Sequence, residues 1–444
     1  MSNEDTIAAI ATPAGVGGIG IIRLSGPQAL EIAQKITQSR LERGIAQFRN
    51  FIDADNNPID HGIVLYFKAP NSFTGEDVLE LQGHAGQVLQ DMLLSRVCEL
   101  GARLAHAGEF SERAFHNDKL DLTQAEAIAD LIESGSQAAA RAAMRSLQGV
   151  FSSKIHELVE RIVRLRVFVE AALDFAEEEI DFLADSDIQQ QLKDIIQQHQ
   201  KILDEAEKGQ VLHDGMTLAI AGQPNAGKSS LLNYLAGYDA AIVTEIAGTT
   251  RDVIREHIAL KGIPVKAIDT AGLRESTDLV EQEGIRRAWH EIEQADIVLL
   301  LIDSSKGVMK EDEQIEQRLS ELKILRVYTK SDLISGDKIA TDTELLVSTK
   351  TGEGMDRLID QLTHNYTDYN QSESTFIARK RHVEALKTTL VFLYNASSIF
   401  EQMASGELMA EDLRQAQQAL NKITGEFTTE DLLGEIFSSF CVGK

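Results

Sequence analysis

The residues with the clearest chemical meaning form the run Gly222-Gln-Pro-Asn-Ala-Gly-Lys228-Ser229, which follows the apolar stretch from Leu218 to Ala221. A strand, a glycine-rich loop and a helix in this order place backbone N–H groups around phosphate oxygens. Lys228 can reach the terminal phosphates of a nucleotide, and Ser229 offers a hydroxyl to Mg²⁺. The run therefore predicts a phosphate-binding loop.

Two motifs that follow would complete the phosphate end of such a site. Asp269-Thr-Ala-Gly272 ends an apolar stretch, where a carboxylate can hold Mg²⁺ through water and a glycine N–H can sense the γ-phosphate. Thr249 and Thr250 lie between this motif and the loop, where a switch segment supplies a second hydroxyl to Mg²⁺. Their order and spacing match a GTPase.

The base specificity rests on Thr329-Lys-Ser-Asp332, because a carboxylate can accept hydrogen bonds from N1 and N2 of guanine but finds no such pair on adenine. Ser348-Thr-Lys350 would close the base pocket. The usual guanine motif begins with Asn, whereas this chain has Thr329, whose side chain is shorter and carries a hydroxyl instead of an amide. We expect weaker nucleotide binding and no change of base.

The hydrolytic residues are less conventional, because Leu273 stands where Ras-like proteins have the Gln that orients the attacking water. Leucine cannot orient water, and the sequence identifies no arginine finger. The acidic residues that follow are the local candidates for this role. They are Glu275, Asp278, Glu281 and Glu283.

The elements around these motifs indicate a mostly parallel sheet with helices on both faces, since short apolar strands alternate with helices from Met216 onward. The predicted strands are Leu218 to Ala221, Val253 to Leu260, Val265 to Ile268, Ile297 to Ile302, Ile324 to Tyr328 and Leu345 to Val347.

The preceding segment has the pattern of a helical bundle. Apolar residues at steps of three and four form one stripe from Phe151 to Ala172 and a second from Leu192 to Ala206. We expect two antiparallel neighbours joined by the acidic stretch Asp174 to Asp187. The helical pattern returns after Tyr369. Because this pattern flanks the nucleotide domain on both sides, it predicts that the nucleotide domain is inserted into a helical domain.

The first hundred residues predict a small α+β domain. Its β-rich runs are Gly18 to Leu24 and Gly62 to Phe67, its helices are Ala29 to Ile36 and Val88 to Leu100, and turn formers at Asp53 to Pro58 could close a hairpin. The expected division is residues 1–118 for this domain, 119–213 and 371–444 for two segments of the helical domain, and 214–370 for the GTPase domain.

Composition limits the remaining choices. The 444 residues carry 43 basic and 70 acidic side chains, a net charge of −27 that argues against a stand-alone nucleic-acid binder. The longest apolar run is far shorter than the roughly 20 residues of a membrane span. Only Cys98 and Cys441 are cysteines, and Glu4 and Asp5 stand where a secretory signal has basic residues. We expect a cytoplasmic protein with no membrane association.

Longer motifs closely resemble the MnmE family, also called TrmE, bacterial GTPases of the TrmE-Era-EngA-like group that help to modify the wobble uridine of certain tRNAs. The resemblance covers essentially the whole chain. The matching motifs are Ala11-Thr-Pro13 with Gly17-Gly18, Asn71-Ser-Phe-Thr-Gly-Glu-Asp77, Glu80-Leu-Gln-Gly-His84, Gly108-Glu-Phe-Ser-Glu-Arg-Ala114, Asn117-Asp-Lys-Leu-Asp121 and Phe440-Cys-Val-Gly-Lys444.

The resemblance implies a K⁺ ion held by Asn225, Thr244, Ile246 and Thr249 in place of an arginine finger, and it implies Glu281 as the residue that positions the water. Ser229 and Thr250 remain the expected Mg²⁺ ligands. The GTP-binding set is then Asn225, Ala226, Gly227, Lys228, Ser229, Ser230, Thr244, Glu245, Ile246, Ala247, Gly248, Thr249, Thr250, Asp269, Thr270, Ala271, Gly272, Thr329, Lys330, Asp332, Ser348, Thr349 and Lys350.

The resemblance also implies an N-terminal domain that dimerises and binds 5-formyl-tetrahydrofolate or a related reduced folate. Matching positions assign the folate contacts to Arg23, Glu80, Lys119 and Lys444. Val16 stands where the family often has a basic residue, which puts any contact from that position in doubt.

The partners that the family implies are a second copy of the chain, tRNA, and an MnmG (GidA) type protein that uses FAD and NADH and forms a heterotetramer. Gly15-Val-Gly-Gly-Ile-Gly20 lacks the strand, turn and helix context of a dinucleotide site, so we expect the flavin on the partner.

The expected activity is K⁺-dependent GTP hydrolysis that, with the flavoprotein, drives addition of a carboxymethylaminomethyl-type group to carbon 5 of the uridine. One alternative is a GTP-gated ribosome or RNA assembly factor without modification chemistry, and another is a free-standing folate aminomethyltransferase.

Two alternatives about single segments of the chain also remain. Cys441 is a nucleophile or acid, or else a buried small hydrophobe. Arg379-Lys-Arg-His382 meets tRNA or is a solvated helix face.

Overall fold

The computed structural model describes residues 5–13, 15, 17–174, 187–238, 255–269, 292–293, 295–320, 322–334, 344–364, 375–403, 405–426 and 430–443. The chain divides into two compact units. One comprises Met1–Ala129, Leu147–Arg164 and Leu413–Lys444, and the other comprises Asp130–Ser146 and Leu165–Asp412. Among the described residues, no helix combines the length and apolar composition needed to cross a bilayer.

The strands and helices of the N-terminal region are β1 (Ile7–Ile10), β2 (Gly20–Ser25), α1 (Ala29–Thr37), β3 (Gln47–Ile52), β4 (Pro58–Phe67), β5 (Val78–Gly83), α2 (Gln87–Glu99), β6 (Arg103–Leu104) and α3 (Glu109–His116). The helical segments are α4 (Leu122–Glu133), α5 (Gln137–Leu147), α6 (Val150–Asp174) and α7 (Ile188–Asp214).

The nucleotide region contains β7 (Met216–Gly222), α8 (Lys228–Tyr238), β8 (Arg255–Leu260), β9 (Ile263–Asp269), β10 (Ile297–Asp303), α9 (Lys310–Arg318), β11 (Ile324–Thr329), β12 (Glu344–Leu346) and α10 (Met355–Thr363). The last helices are α11 (Lys380–Met403), α12 (Gly406–Thr424) and α13 (Glu430–Ser438).

The N-terminal sheet has the strand order β3-β4-β5-β2-β1-β6 and is antiparallel except for the β1–β6 pair. Alternate residues of its strands, such as Ile22, Leu24 and Leu81, are buried with α1 and α2 in one core. The opposite face carries Arg23 and Glu80, which are directly opposed on β2 and β5. This α+β domain agrees with the prediction, and both predicted helices lie within one residue of α1 and α2.

The hairpin at Asp53 to Pro58 joins β4 to β3, a strand that the sequence analysis did not identify. The Asp53 side chain caps the turn, because its Oδ1 accepts hydrogen bonds from the N–H groups of Asp55 and Asn57 at 2.9 and 2.8 Å. The β2 and β4 runs are not paired with each other, since β5 lies between them.

Helix α7 packs most extensively along α11, the first helix beyond the nucleotide region. The two helices are antiparallel, since Gln189 near the start of α7 bonds to Glu401, whereas Glu207 near its end pairs with Lys387 at 2.8 Å. We expected α6 to be the antiparallel neighbour of α7; the described residues show α11 as the helix with which α7 has its most extensive contacts, and the pairing of α6 with α7 stays a prediction. An apolar stripe shows that a helix is covered but does not identify the helix that covers it.

The second sheet has the order β12-β11-β10-β7-β9-β8. Every neighbouring pair is parallel except β8 with β9. Two apolar clusters cover its faces, one including Leu218, Leu299 and Leu358 and the other Ala219, Leu300 and Leu319. The mostly parallel sheet with helices on both faces confirms the predicted fold class of this region.

Candidate nucleotide site and the N-terminal sheet face

The carboxyl ends of the parallel strands meet at one edge of the second sheet, where ligands of open α/β sheets bind. Gly222, Asp269, Asp303 and Thr329 end β7, β9, β10 and β11, and Ser348 follows β12 by two residues. The strand register places Asp303 beside Thr329, and Gly222 beside Leu301. The predicted phosphate and guanine motifs are therefore brought together at this edge.

The phosphate loop is shaped by its backbone. Lys228 is buried, and its Nζ donates hydrogen bonds to the carbonyl oxygens of Gly222 and Gln223 at 2.7 and 3.0 Å. Gly222 has a φ of 140°, and a Cβ there would lie 2.5 Å from the carbonyl oxygen of Leu301. Asn225 also has a left-handed backbone, with a φ of 65°. The loop thus curls around the ammonium group at the start of α8.

Thr329 connects the guanine motif to the phosphate loop. Its buried hydroxyl donates to the carbonyl oxygen of Ala226 at 2.7 Å, with the carbonyl oxygen of Ile302 at 3.3 Å. A hydroxyl has only one proton to donate, so the proton is used inside the protein. The sequence indicated only a weakened base contact at Thr329, and this link was not predicted.

The guanine motif is held in place by side chains of neighbouring strands. Lys330 Nζ lies 2.6 Å from Asp303 Oδ2, and this hydrogen bond, together with those from Ser305, lowers the pKa of Asp303 to about 2. Ser348 Oγ donates to Asp332 Oδ1 at 2.8 Å. Asp332 is exposed and keeps a second carboxylate oxygen for a ligand. Asp303 was not predicted, although its place at the end of a buried strand could have indicated it.

Part of the predicted nucleotide site lies outside the described residues. This applies to the side chain of Asp269 and to Thr244, Glu245, Ile246, Ala247, Gly248, Thr249, Thr250, Thr270, Ala271, Gly272, Leu273 and Glu281. Within the described part, Ser229 and Ser230 are exposed on the first turn of α8, and Thr349 and Lys350 follow Ser348.

On the N-terminal sheet, two of the four predicted folate residues are bonded to each other. Arg23 donates from Nη2 and Nε to Glu80 Oε1 at 2.9 and 3.1 Å, and from Nη1 to the carbonyl oxygen of Gly443 at 3.3 Å. Lys119 is exposed and donates to the carbonyl oxygen of Pro70 at 3.1 Å. Lys444 and Val16 lie outside the described residues.

Three further residues of the N-terminal motifs, Glu76, Glu109 and Arg113, form a partly buried ion cluster with Asp5 and Arg103 that was not predicted. Arg113 is only 7% exposed and lies 2.7 to 3.1 Å from carboxylate oxygens of Asp5, Glu76 and Glu109. Arg103 also pairs with Asp5 and Glu109, both at 2.6 Å. The arginines and carboxylates of this cluster therefore compensate each other's charge within the domain.

The structure bears on the two alternatives left open for Cys441 and for the run from Arg379 to His382. Cys441 is exposed, so it is not a buried small hydrophobe. In the run from Arg379 to His382, Arg379 Nη2 bonds to Asp130 Oδ1 at 2.6 Å, and His382 is buried. The run is therefore not a uniformly exposed basic patch, although Lys380 is exposed and lies 3.8 Å from Glu384.

Together, the loop around Lys228, the link through Thr329 and the paired guanine motif define a P-loop protein with a guanine-nucleotide site. Residues 6–119 match the family model described as the GTP-binding protein TrmE N-terminus, and residues 122–441 match the model of the MnmE helical domain.

Curated relatives extend this match over the full length. A "tRNA modification GTPase MnmE" of Hydrogenovibrio crunogenus is 51% identical, with 100% of each chain covered. A protein with the same description from Acinetobacter baumannii (strain ATCC 17978) is 53% identical, covering 100% of this chain and 99% of its own. The chain belongs to the MnmE family of GTPases.

Proposed function

We propose that the chain is a K⁺-dependent GTP hydrolase of the cytoplasm that works with a flavoprotein partner on tRNA. Together they add a carboxymethylaminomethyl-type group to carbon 5 of the wobble uridine of certain tRNAs, using a tetrahydrofolate one-carbon unit. The observation that carries the GTPase half is the loop around Lys228 joined through Thr329 to the guanine motif. Full-length similarity to relatives described as tRNA modification GTPases supports the tRNA half.

Ser229 and Thr250 would hold Mg²⁺, and Asn225, Thr244, Ile246 and Thr249 would hold K⁺. The described residues fit these roles: Ser229 is exposed at the start of α8, and the exposed Asn225 side chain carries an amide oxygen. A bound K⁺ would supply the positive charge that other GTPases take from an arginine. Asp332, with its free carboxylate oxygen, would select guanine, and Lys228 would bind the phosphates.

In this proposal Glu281 positions the attacking water, because Leu273 offers no polar group. Hydrolysis acts as a conformational driver and not as the modification step. A homodimer would pair the nucleotide domains, and an FAD- and NADH-using protein of the MnmG type would complete a heterotetramer. The division into residues 1–118, 119–213 with 371–444, and 214–370 remains part of the proposal.

The test is GTP turnover by the full chain in KCl and in NaCl at equal ionic strength. We expect turnover to be at least about tenfold higher in KCl, because one cation placed at the developing charge has an effect of this order or larger. Asn225→Ala should remove the K⁺ response, whereas Asn233→Ala, on the exposed face of α8, should keep it. Equal turnover in both salts would contradict the K⁺ mechanism.

The water-positioning role is tested separately with Glu281→Gln and Glu283→Gln, which remove one carboxylate each from the same segment. We expect the first variant to lose turnover by about 10²-fold or more, as is typical for a group acting on the attacking nucleophile, and the second to keep it. If Glu281→Gln retains turnover, the assignment is wrong.

Binding of 5-formyl-tetrahydrofolate by equilibrium dialysis separates the proposal from a GTP-gated assembly factor. We expect saturable binding to the full chain. Absence of binding, together with intact GTP turnover, would favour the assembly-factor alternative and would leave the GTPase assignment in place.

A further inference from the structure

The last described residues form a short segment, Cys441 to Gly443, that lies on the N-terminal sheet; we call it the C-terminal segment. Phe440, just before it, is buried with its ring centroid 5.4 Å from that of Phe437. The carbonyl oxygen of Cys441 accepts a hydrogen bond from Gly108 N–H at 3.4 Å, and Val442 forms an antiparallel bridge with Ala107. Chain ends are ordered only where such contacts hold them.

Gly443 fixes the far end of this segment by a close approach to β1. Its φ is 93°, and a Cβ there would lie 2.5 Å from the carbonyl oxygen of Ile10 and 3.2 Å from Cα of Ala11. Only glycine fits this position without a shift. Cys441 and Val442 are exposed, and they lie between two buried residues, Phe440 and Gly443.

Arg23 is the side chain that bonds to this far end. Two of its nitrogens donate to one oxygen of Glu80, and its third donates to the carbonyl oxygen of Gly443 at 3.3 Å. The guanidinium also lies 5.9 Å from the ring centroids of Phe73 and Phe110. Glu80 is itself held, since Gln82 Nε2 donates to its other oxygen at 3.1 Å. The donors of Arg23 thus have fixed directions.

We propose that Arg23 is a positioning residue: braced by Glu80, it fixes the C-terminal segment on the sheet and thereby sets where the Cys441 thiol stands. This role differs from the direct folate contact expected from the family resemblance. The geometry alone supports the claim that Arg23 fixes the segment. The claim that this matters for tRNA modification rests on the proposed function.

The test follows the mobility of the segment in the full chain without GTP, folate or tRNA. A nitroxide spin label is attached to Cys441 in a Cys98→Ala background, and the fraction of the immobilised spectral component is measured. In parallel, carboxypeptidase Y is used to measure the rate at which C-terminal residues are released. Neither readout depends on the proposed reaction.

We expect Arg23→Gln to lower the immobilised fraction and to speed release by about fivefold, because the long 3.3 Å hydrogen bond to Gly443 is lost. Gly443→Ala should act in the same direction, because its Cβ would displace the segment from Ile10. Arg49→Gln is the matched control: Arg49 lies on β3 of the same sheet and bonds to Phe48 and Gln47, so both readouts should remain unchanged.

Glu80→Gln keeps the side-chain volume and an acceptor oxygen, so it should fold normally and give an intermediate mobility. If Arg23→Gln and Glu80→Gln both leave the immobilised fraction and the release rate unchanged in folded protein, the positioning role is wrong. An equal change in Arg49→Gln would overturn it too, because the effect would then be general to the sheet.

A last measurement tests whether fixing the C-terminal segment matters for tRNA modification. If the proposed function holds, Arg23→Gln should lower kcat for tRNA modification while leaving GTP turnover unchanged. A mobile segment in Arg23→Gln with full modification activity would overturn the catalytic importance of the position, while the proposed function itself would stand.

Discussion

Lys228 and Arg23 are the cations of the two candidate ligand sites, and they differ in how far along the chain their partners lie. Lys228 donates to carbonyl oxygens six and five residues before it, within a single loop. Arg23 bonds to Glu80, 57 residues away, and to Gly443, 420 residues away. The phosphate loop is thus formed by a contiguous sequence, whereas the sheet-face site exists only after distant segments have packed together.

The largest effect is expected from removing Lys228, the cation whose partners lie within its own loop. Lys228→Ala should weaken GTP binding by about 10²-fold or more, because a charge-assisted contact to phosphate contributes about 1.5–3 kcal/mol and a desolvated site adds to it. The measurement is the dissociation constant for GTP by calorimetry. The mobility of a spin label on Cys441 should not change.

Lys228→Arg is the control that keeps the charge but changes the donor geometry, and we expect it to bind GTP with an intermediate affinity. Binding of GTP by Lys228→Ala within about threefold of the parent would contradict the assignment of this loop as the phosphate site.

The same contrast explains what could be predicted from the sequence. The strands that carry the phosphate loop and the guanine motif were predicted correctly, because each motif is a short run at the end of a strongly apolar stretch. The binding roles of these motifs stay predictions. The Asp303–Lys330 pair and the Thr329–Ala226 bond were missed, since they join runs 27 and 103 residues apart.

The N-terminal domain shows where such prediction ends. Its motifs were recognised, but some of their charged residues bond to each other, as Arg113 does with Glu76 and Glu109. A charged residue in a motif has the same one-letter code whether it contacts a ligand or another motif. Likewise, the stripe of α7 predicted a buried face but not its partner α11.

Thr329 provides a test within the nucleotide site, because its bond to Ala226 joins the phosphate loop to a residue 103 positions away. Thr329→Val keeps the shape but leaves the buried carbonyl oxygen without its donor, which costs about 1–2 kcal/mol. We therefore expect KM for GTP to rise by roughly tenfold with kcat changed by less than about twofold.

Thr329→Ser restores the hydroxyl and should return KM to near the parent value. If the valine and serine variants have the same KM, the bond to Ala226 does not hold the loop. A fall in kcat alone would place Thr329 in hydrolysis instead of binding.

The smallest predicted effect is a pH dependence of stability that arises from His213. This residue lies near the end of α7, just before β7, and one of its two partners is distant in the sequence. Burial opposes its charged form, but hydrogen bonds to Asp130 and Asp214 outweigh burial and raise the pKa of His213 to about 9. Arg379 bonds to the same Asp130 and opposes the charge on the histidine. The protonated histidine thus bridges two carboxylates, one adjacent and one 83 positions earlier in the sequence.

Because the folded-state pKa lies above the unfolded value of about 6.5, this contribution to stability is complete below pH 6.5 and is lost as the pH rises through 9. We expect a loss of about 1 kcal/mol across this range, reduced from the full pKa difference because the imidazole is partly exposed. The check is the thermal unfolding midpoint between pH 6.5 and 9.5. His213→Gln should flatten the pH dependence of that midpoint, whereas His156→Gln, at an exposed pair with Glu426, should not. Equal slopes in the parent and His213→Gln would show that the residues meeting at His213 do not stabilise the fold through its charge.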